Sequence, residues 1–409
     1  MMRAPKKLKT LRALMRPTLG ILCRSNKMRP EIENAQTLVV KIGSSLLLKN
    51  EALNHQWLAA MATDLAGYHA AGKKLIIVTS GAVSLGYAAL GFARTGLTRD
   101  QMSLEQSQAA AAAGQIELAQ GWRAALAEQG LAAAQILLTA EDTEQRRRYL
   151  NARQTLTTLM AHGAVPVINE NDTVATQELC YGDNDRLAAR VAAMVSADCL
   201  ILLSDIDGLY DADPTQHKDA NFIDHVSHID AHIEAMAGGT GSSHGSGGMV
   251  TKLQAAEIAQ RAGCHMVLAS GRDNAPLSAL AKGARSTVFM AHDNPHSARA
   301  AWIAGGLQPG GSLHLDAGAV AALRAGKSLL PVGLTGLDGQ FERGDCVALL
   351  DADGQEIGRG LSAYASEEAK RMVGLSSDAV HDTLGYRGRD EMVHRDDMVL
   401  HAAQSEKGQ

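Results

Sequence analysis

Aromatic side chains are scarce in this 409-residue chain, at 3 Trp, 7 Tyr and 4 Phe. Proteins that bind single-stranded nucleic acid stack bases on aromatic rings, so the shortage disfavours that class. Cysteines are few and dispersed, at positions 23, 180, 199, 264 and 346, with no Cys-x-x-Cys pair. That argues against a disulfide framework or a zinc knuckle and fits a reducing, cytoplasmic setting. No apolar run approaches the ~20 residues of a membrane span. Acidic residues are missing from positions 1–30, which hold nine of the 39 Lys and Arg. The remainder carries all 44 Asp and Glu, a formal charge of −14. A body that acidic is not a general nucleic-acid binder. The basic arm, taken as residues 1–36, lacks the apolar centre of a secretory signal. It is expected to be an unstructured tail, or to lie upstream of the natural start, because Met28 stands just before the first strand.

What is present is ordinary for a water-soluble α/β protein: 46% hydrophobic residues, 20% charged and 40 glycines. Short apolar runs at 37–48, 75–78, 134–138, 164–168, 199–203 and 265–269 alternate with segments of helical spacing. Among the latter are 146–161, 251–262 and an Ala-rich region, 103–129, with expected breaks near Gly114 or Gly121. A further helix and strand close near Met290. This alternation predicts an open, mostly parallel sheet covered by helices on both faces. Residues 293–311 read as a linker. Short strands then alternate with turns, predicting a small, mainly β domain over 312–400 and a tail over 401–409.

Ligands of such sheets gather beyond the carboxyl ends of the strands. Four polar clusters fall there: Lys41–Ser45, Ser80-Gly81, Asn169–Asp172 and Ser204-Asp205. Asn169–Asp172 is echoed a dozen residues later by Gly182–Asp185, across a β-branched segment expected to form a hairpin. Two such clusters can be solvated turns, an oxygen-ligand metal site or a grip on a small polar ligand. Lys41 before Gly43 can aim an ammonium and backbone N–H groups at a phosphate. The glycine-rich run 238–248 is equally a mobile linker and a nucleotide-closing loop that leads into a helix bearing Lys252.

Three other patterns are set aside. Residues 321–328, AALRAGKS, imitate a phosphate-binding loop but lie on a helical pattern with no strand before them. His394-Arg395-Asp396 imitates a protein-kinase catalytic loop, but His401 stands where Asn is needed. His225, His228 and His232 are spaced for one face of a solvated helix, without the partner set of a metal site.

Taken together, the segments TLVVKIGSS, IIVTSGAVSLG, YLNARQTL, VPVINENDTVAT, YGDNDRLAA, LLSDIDGLYDADP, GSGGMVTKLQAA and VHRDDM resemble the amino-acid kinase family. The resemblance runs from about Thr37 to Leu400, with a kinase domain over 37–292. The tail is similar to a PUA domain, a module also found in RNA-modifying proteins. The resemblance implies the branch of the family that uses ATP to phosphorylate the γ-carboxylate of L-glutamate, the first step toward proline.

It implies that Lys41 and Lys252 contact the ATP phosphates and that Asp185 orients them. Ser80, Asp172 and Asn184 would bind glutamate. Gly43, Ser204, Asp205 and the run Ser246, Gly247, Gly248, Met249, Val250, Thr251 and Lys252 would hold the nucleotide. Mg²⁺ would arrive with ATP rather than on protein ligands. A homo-oligomer, dimer or tetramer, and feedback inhibition by proline are further expectations, as are no membrane and no nucleic-acid partner. Ser204 and Ser246 stand where threonine is common but keep the hydroxyl. The loop at Ser242–His244 departs from the family pattern.

Overall fold

The computed structural model describes residues 28–174, 184–238, 248–295, 297–299, 303 and 308–401. The main elements in chain order are β1 (Thr37–Ile42), α1 (His55–Ala70), β2 (Lys74–Val78), α2 (Ala82–Ala89) and α3 (Leu104–Ala127). Then come β3 (Ala133–Leu138), α4 (Arg146–Ala161), β4 (Val165–Glu170), α5 (Asn184–Val195) and β5 (Cys199–Ser204). The body closes with β6 (His225–Val226), α6 (Met249–Arg261), β7 (His265–Ser270), α7 (Pro276–Ala281) and β8 (Ser286–Phe289).

These eight strands form one sheet in the order β6-β8-β7-β5-β1-β2-β4-β3. Every pairing is parallel except β7 with β8. The central strands are continuous apolar runs because both faces are covered. Alternation along β1 divides its side chains between two cores. Leu38, Val40 and Ile42 pack with Trp57, Leu65 and Trp122 of α1 and α3. Val39 packs on the opposite side with Leu187 and Val191 of α5 and Leu253 of α6. Lys41 shares the parity of Val39, and that decides which helices it meets.

Several expectations change. The Ala-rich helix α3 is unbroken from Leu104 to Ala127. Gly114 is not a break but a crossing point: a Cβ there would lie 1.9 Å from the Ala82 carbonyl oxygen, and one on Gly86 would lie 1.7 Å from that of Ala110. Glycine at both positions lets the backbones of α2 and α3 touch. The expected arm does not extend to residue 36. Residues 30–33 form a helical turn with Ile32 fully buried, and Lys73 donates to the carbonyls of Ile32 and Glu33. Residues 1–27, the proposed hairpin at 175–183, the glycine loop at 239–247 and the tail at 402–409 lie outside the described residues.

The segment read as a linker is helical at 295, 297–299 and 303, with Ile303 buried. Beyond it stand β9 (Gly311–Leu315), α8 (Ala317–Arg324), β10 (Leu334–Gly339), β11 (Cys346–Leu350) and β12 (Glu356–Leu361). Helices α9 (Ser366–Met372) and α10 (Ser377–Leu384) precede β13 (Met398–Leu400). The strand order is β10-β9-β11-β12-β13 around a separate core that includes Leu313, Val347, Tyr364 and Met392. Residues 321–324 are the end of α8, so AALRAGKS is no phosphate loop. The three histidines do not share a helix: His225 lies on β6, His232 in the helix Ala231–Gly238, and His228 in between, its ring 5.1 Å from that of His292.

Candidate active site

The cleft opens at the carboxyl ends of β5, β1, β2 and β4. Parity sends Lys41 toward α5, and the helix begins there with Asn184 and Asp185. An aspartate in the first turn faces the positive end of the helix dipole. Asp185 is fully buried. One carboxylate oxygen meets Lys41 Nζ, and the other accepts from Lys252 Nζ at 3.0 Å. Both lysines are more than nine-tenths buried. Burial pushes the Asp185 carboxyl up, but the two ammonium groups more than offset it and hold its pKa below the usual carboxylate value. One aspartate thus fixes two cations carried on elements over 200 residues apart.

Beside this cluster runs a neutral network. The Asn184 side-chain nitrogen has three acceptors in reach: the Thr79 carbonyl at 2.5 Å, Ser80 Oγ at 2.8 Å and Asn169 Oδ1 at 2.8 Å. Asn169 in turn donates to Gln115 of α3 at 2.9 Å, and Trp122 donates to Thr79 Oγ1 at 3.1 Å. Gly81 supports the turn at the end of β2 with φ 109°, a conformation open to glycine. Ser80 and Asn184 are therefore brought together. Asn169 belongs to the polar cluster expected at the end of β4, but Gln115 and Thr79 were not anticipated, and Gln115 carries no local signal on an Ala-rich helix.

Asp172 lies two residues past β4. Its carboxyl is pushed up to about 7, first by burial and then by the charge of Glu170. On the other side of the cleft, Ile42 is in register with Leu203, which sets Gly43 beside Ser204 and Asp205. Ser204 Oγ donates to Asp205 at 3.0 Å. Gly248 precedes α6, Thr251 Oγ1 donates back to its carbonyl at 2.8 Å, and Met249, Val250 and Lys252 follow on the first turn. Ser246 and Gly247 lie outside the described residues. Among the described residues no three His, Cys, Asp or Glu side chains come together to hold a metal. No helix among them is long and apolar enough to cross a membrane.

A parallel sheet with two buried, carboxylate-linked lysines at its carboxyl edge defines a class, the phosphoryl-transferring kinases with an open α/β sheet. The sequence profile of the amino acid kinase family matches residues 36–270, and that of the PUA domain matches residues 311–384. Glutamate 5-kinase of Rhodopseudomonas palustris strain BisB18 is 56% identical over 376 residues, 91% of this chain and 99% of that protein. Glutamate 5-kinases of Bradyrhizobium sp. strain BTAi1 and Nitrobacter winogradskyi are each 55% identical over 91% of this chain and 97% of theirs. The chain belongs to the amino acid kinase family, and within it to the glutamate 5-kinases.

Proposed function

We propose that this protein transfers the γ-phosphoryl group of ATP to the side-chain carboxylate of L-glutamate, giving L-glutamyl 5-phosphate for proline synthesis. The observation that carries the reading is the Lys41–Asp185–Lys252 cluster. A carboxylate acceptor is already ionised at neutral pH, so the reaction needs no general base. It needs alignment and neutralisation of the phosphates, and two preorganised ammonium groups supply both. In this reading Lys41 and Lys252 reach the phosphates, and Asp185 keeps them in place. Gly43, Ser204, Asp205 and the first turn of α6 hold the nucleotide, and Ser80, Asn184 and Asp172 hold glutamate. Asp172 is the partner for its ammonium group.

Mg²⁺ belongs to the same reading. Asp185 is already occupied by the two lysines, and the described residues assemble no carboxylate cage. The ion would come bound to ATP and contribute charge neutralisation of the phosphates. A homo-oligomer, a cytoplasmic location and inhibition by proline at the glutamate site complete the proposal. A substrate panel tests it, with acyl phosphate trapped as hydroxamate and, for nucleotide acceptors, ADP release. Glutamate is expected to be turned over at least 100-fold better than N-acetylglutamate, aspartate, carbamate or a nucleoside monophosphate. Preference for any of these overturns the assignment.

A further inference from the structure

On the side of α5 and α6 away from the strand ends lies a cavity of about 480 Å³. Its lining includes four arginines, Arg146, Arg190, Arg261 and Arg299, against one carboxylate, Glu144. None of the cleft residues named above borders it. We propose that this cavity is a second binding site, for a small organic phosphate, and that its occupation is felt in the cleft.

The carboxyl ends of α5 and α6 border the cavity through Ala193, Ser196 and Ala262. A helix end carries about half a negative charge, so the two ends call for about one cation, not four. Each arginine does have a carboxylate neighbour: Asp345 for Arg146 at 3.2 Å, Glu144 for Arg190 at 3.0 Å, Glu257 for Arg261, and Asp397 for Arg299 at 2.6 Å. Three of those carboxylates lie behind the arginines and do not line the cavity, so the wall itself presents four guanidinium groups and one carboxylate. A guanidinium has five N–H donors, and a carboxylate engages at most two of them from one edge. Arg299 is the fixed wall, since it also donates to the Asp396 carbonyl and reaches the Tyr149 hydroxyl. Arg190 is partly exposed and Arg261 largely so, which leaves them able to turn onto a ligand. Tyr149 and Ile258 give the same space an apolar side. The volume is that of a small-molecule site. A phosphate on a carbon skeleton fits both surfaces.

With the nucleotide in the cleft as proposed above, the two sites share two helices. Helix α5 carries Asp185 near its start and Arg190 about 7.5 Å further along its axis. Helix α6 carries Lys252 in its first turn and Arg261 at its end. The two helices pack against each other. A phosphate that draws Arg190 and Arg261 onto itself ties the middle of α5 to the end of α6, and so fixes the spacing of Asp185 and Lys252 at their first turns. Phosphate binding here is therefore expected to tighten nucleotide binding there, and linkage requires the reverse effect to be equal.

The test uses the full-length protein, with inorganic phosphate and ribose 5-phosphate as probes and citrate as a carboxylate comparison. Binding is followed by calorimetry with the cleft saturated by a non-hydrolysable ATP analogue. Both phosphates are expected to bind saturably, ribose 5-phosphate more tightly and citrate at least 10-fold more weakly. Arg261→Gln, at the rim, and Arg190→Gln are each expected to weaken ribose 5-phosphate at least 10-fold while the variants keep their melting temperatures. Absence of binding once the cleft is filled overturns the site. So does unchanged binding in both variants, and citrate equal to phosphate overturns the ligand class. Saturating ribose 5-phosphate is expected to lower the Kd of the ATP analogue about 5-fold, near the lower end of ordinary coupling. An unchanged Kd overturns the coupling. If the ATP analogue fails to bind while phosphate does, the cleft reading fails, and the second site stands if Arg190→Gln and Arg261→Gln still weaken that phosphate binding and falls if they do not.

Discussion

Asp185 and Asp397 are both sealed from water and both surrounded by cations, one in the kinase body and one at its border with the C-terminal domain. Asp185 holds two lysines, and Asp397 holds Arg153 of α4, Arg299 of the connecting segment and, at 4.0 Å, Arg389. In both cases burial raises the carboxyl and the neighbouring cations more than offset it, so each stays ionised well into acid. The difference lies in the cation. A lysine ammonium is a compact charge on a flexible stem and can hold a carboxylate while reaching for a phosphate. An arginine offers a planar fork that fixes several partners at once, and Arg299 engages Asp397, Asp396 and Tyr149 together. The first cluster is built at a cleft, the second at a seam. Similar burial and similar charge thus stand at an open strand edge in one place and at a join between domains in the other, and the proposed function gives only the first a part in the reaction.

The sharpest way to break this comparison is to neutralise each aspartate. Asp185→Asn is expected to lower kcat by about 10²–10³-fold or more, and Lys41→Ala and Lys252→Ala by about 10²–10³-fold each, measured in steady-state assays. Near-normal turnover in either lysine variant would remove the cluster from the chemistry. The double lysine variant should lose less than the product of the single losses, because the residues act as a unit.

Asp397→Asn should do the reverse. It leaves buried arginines without their carboxylate, at a cost of about 3–5 kcal/mol in denaturant unfolding, with kcat within about threefold of the parent. A loss of kcat matching that of Asp185→Asn would erase the distinction between the clusters.

A smaller effect is expected at Asp172. Asp172→Asn should raise the KM for glutamate about 10-fold or more, the worth of a charged hydrogen bond, and change kcat little. Weaker ATP saturation with unaltered glutamate saturation would refute the role given to it.

The smallest effects concern pH, and here the aspartates differ in sign. Asp185 and Asp397 have depressed pKa values in the fold, so the stability they confer is present above the unfolded carboxylate pKa near 4 and is lost as pH falls through their folded values. Asp172 has a raised one, about 7. Its contribution is complete below about 4 and is lost as pH rises through 7. The unliganded protein should therefore lose some stability between about pH 4 and 7, a slope that Asp172→Asn abolishes. The KM for glutamate should fall as pH rises through about 7, where Asp172 ionises to meet the ammonium group. Thermal melts and KM measured from about pH 4 to 8 check both.

Much of the kinase body was legible because its signals are local. Apolar runs such as Cys199–Leu203 mark strands buried on both faces, and polar residues at their ends mark the cleft. Lys41 and Ser80 stand at or just beyond strand ends, and Asn184, Asp185 and Lys252 on the first turns of helices that meet them there. What was not legible is long-range. Nothing near Gly114 says whether glycine breaks a helix or lets another helix touch it; the answer lies on Gly86. Nothing in the spacing of Arg153 and Asp397 announces their contact across 244 residues, and the HRD triplet drew attention to the neighbour that is less buried. Helices α9 and α10 escaped notice because two turns of helix among short strands offer too little periodicity.

Helix α4 also constrains inheritance. It rests on α5 through one side and grips the C-terminal domain through the other, with Arg146 on Asp345, Arg153 on Asp397, and Gln154 accepting from Arg389. A gene fusion joined inside the connecting segment would give α4 a foreign neighbour with no carboxylates for its arginines. Exchange of this domain between lineages therefore has to carry α4 with it, or bring in a tail that already has acids at both places.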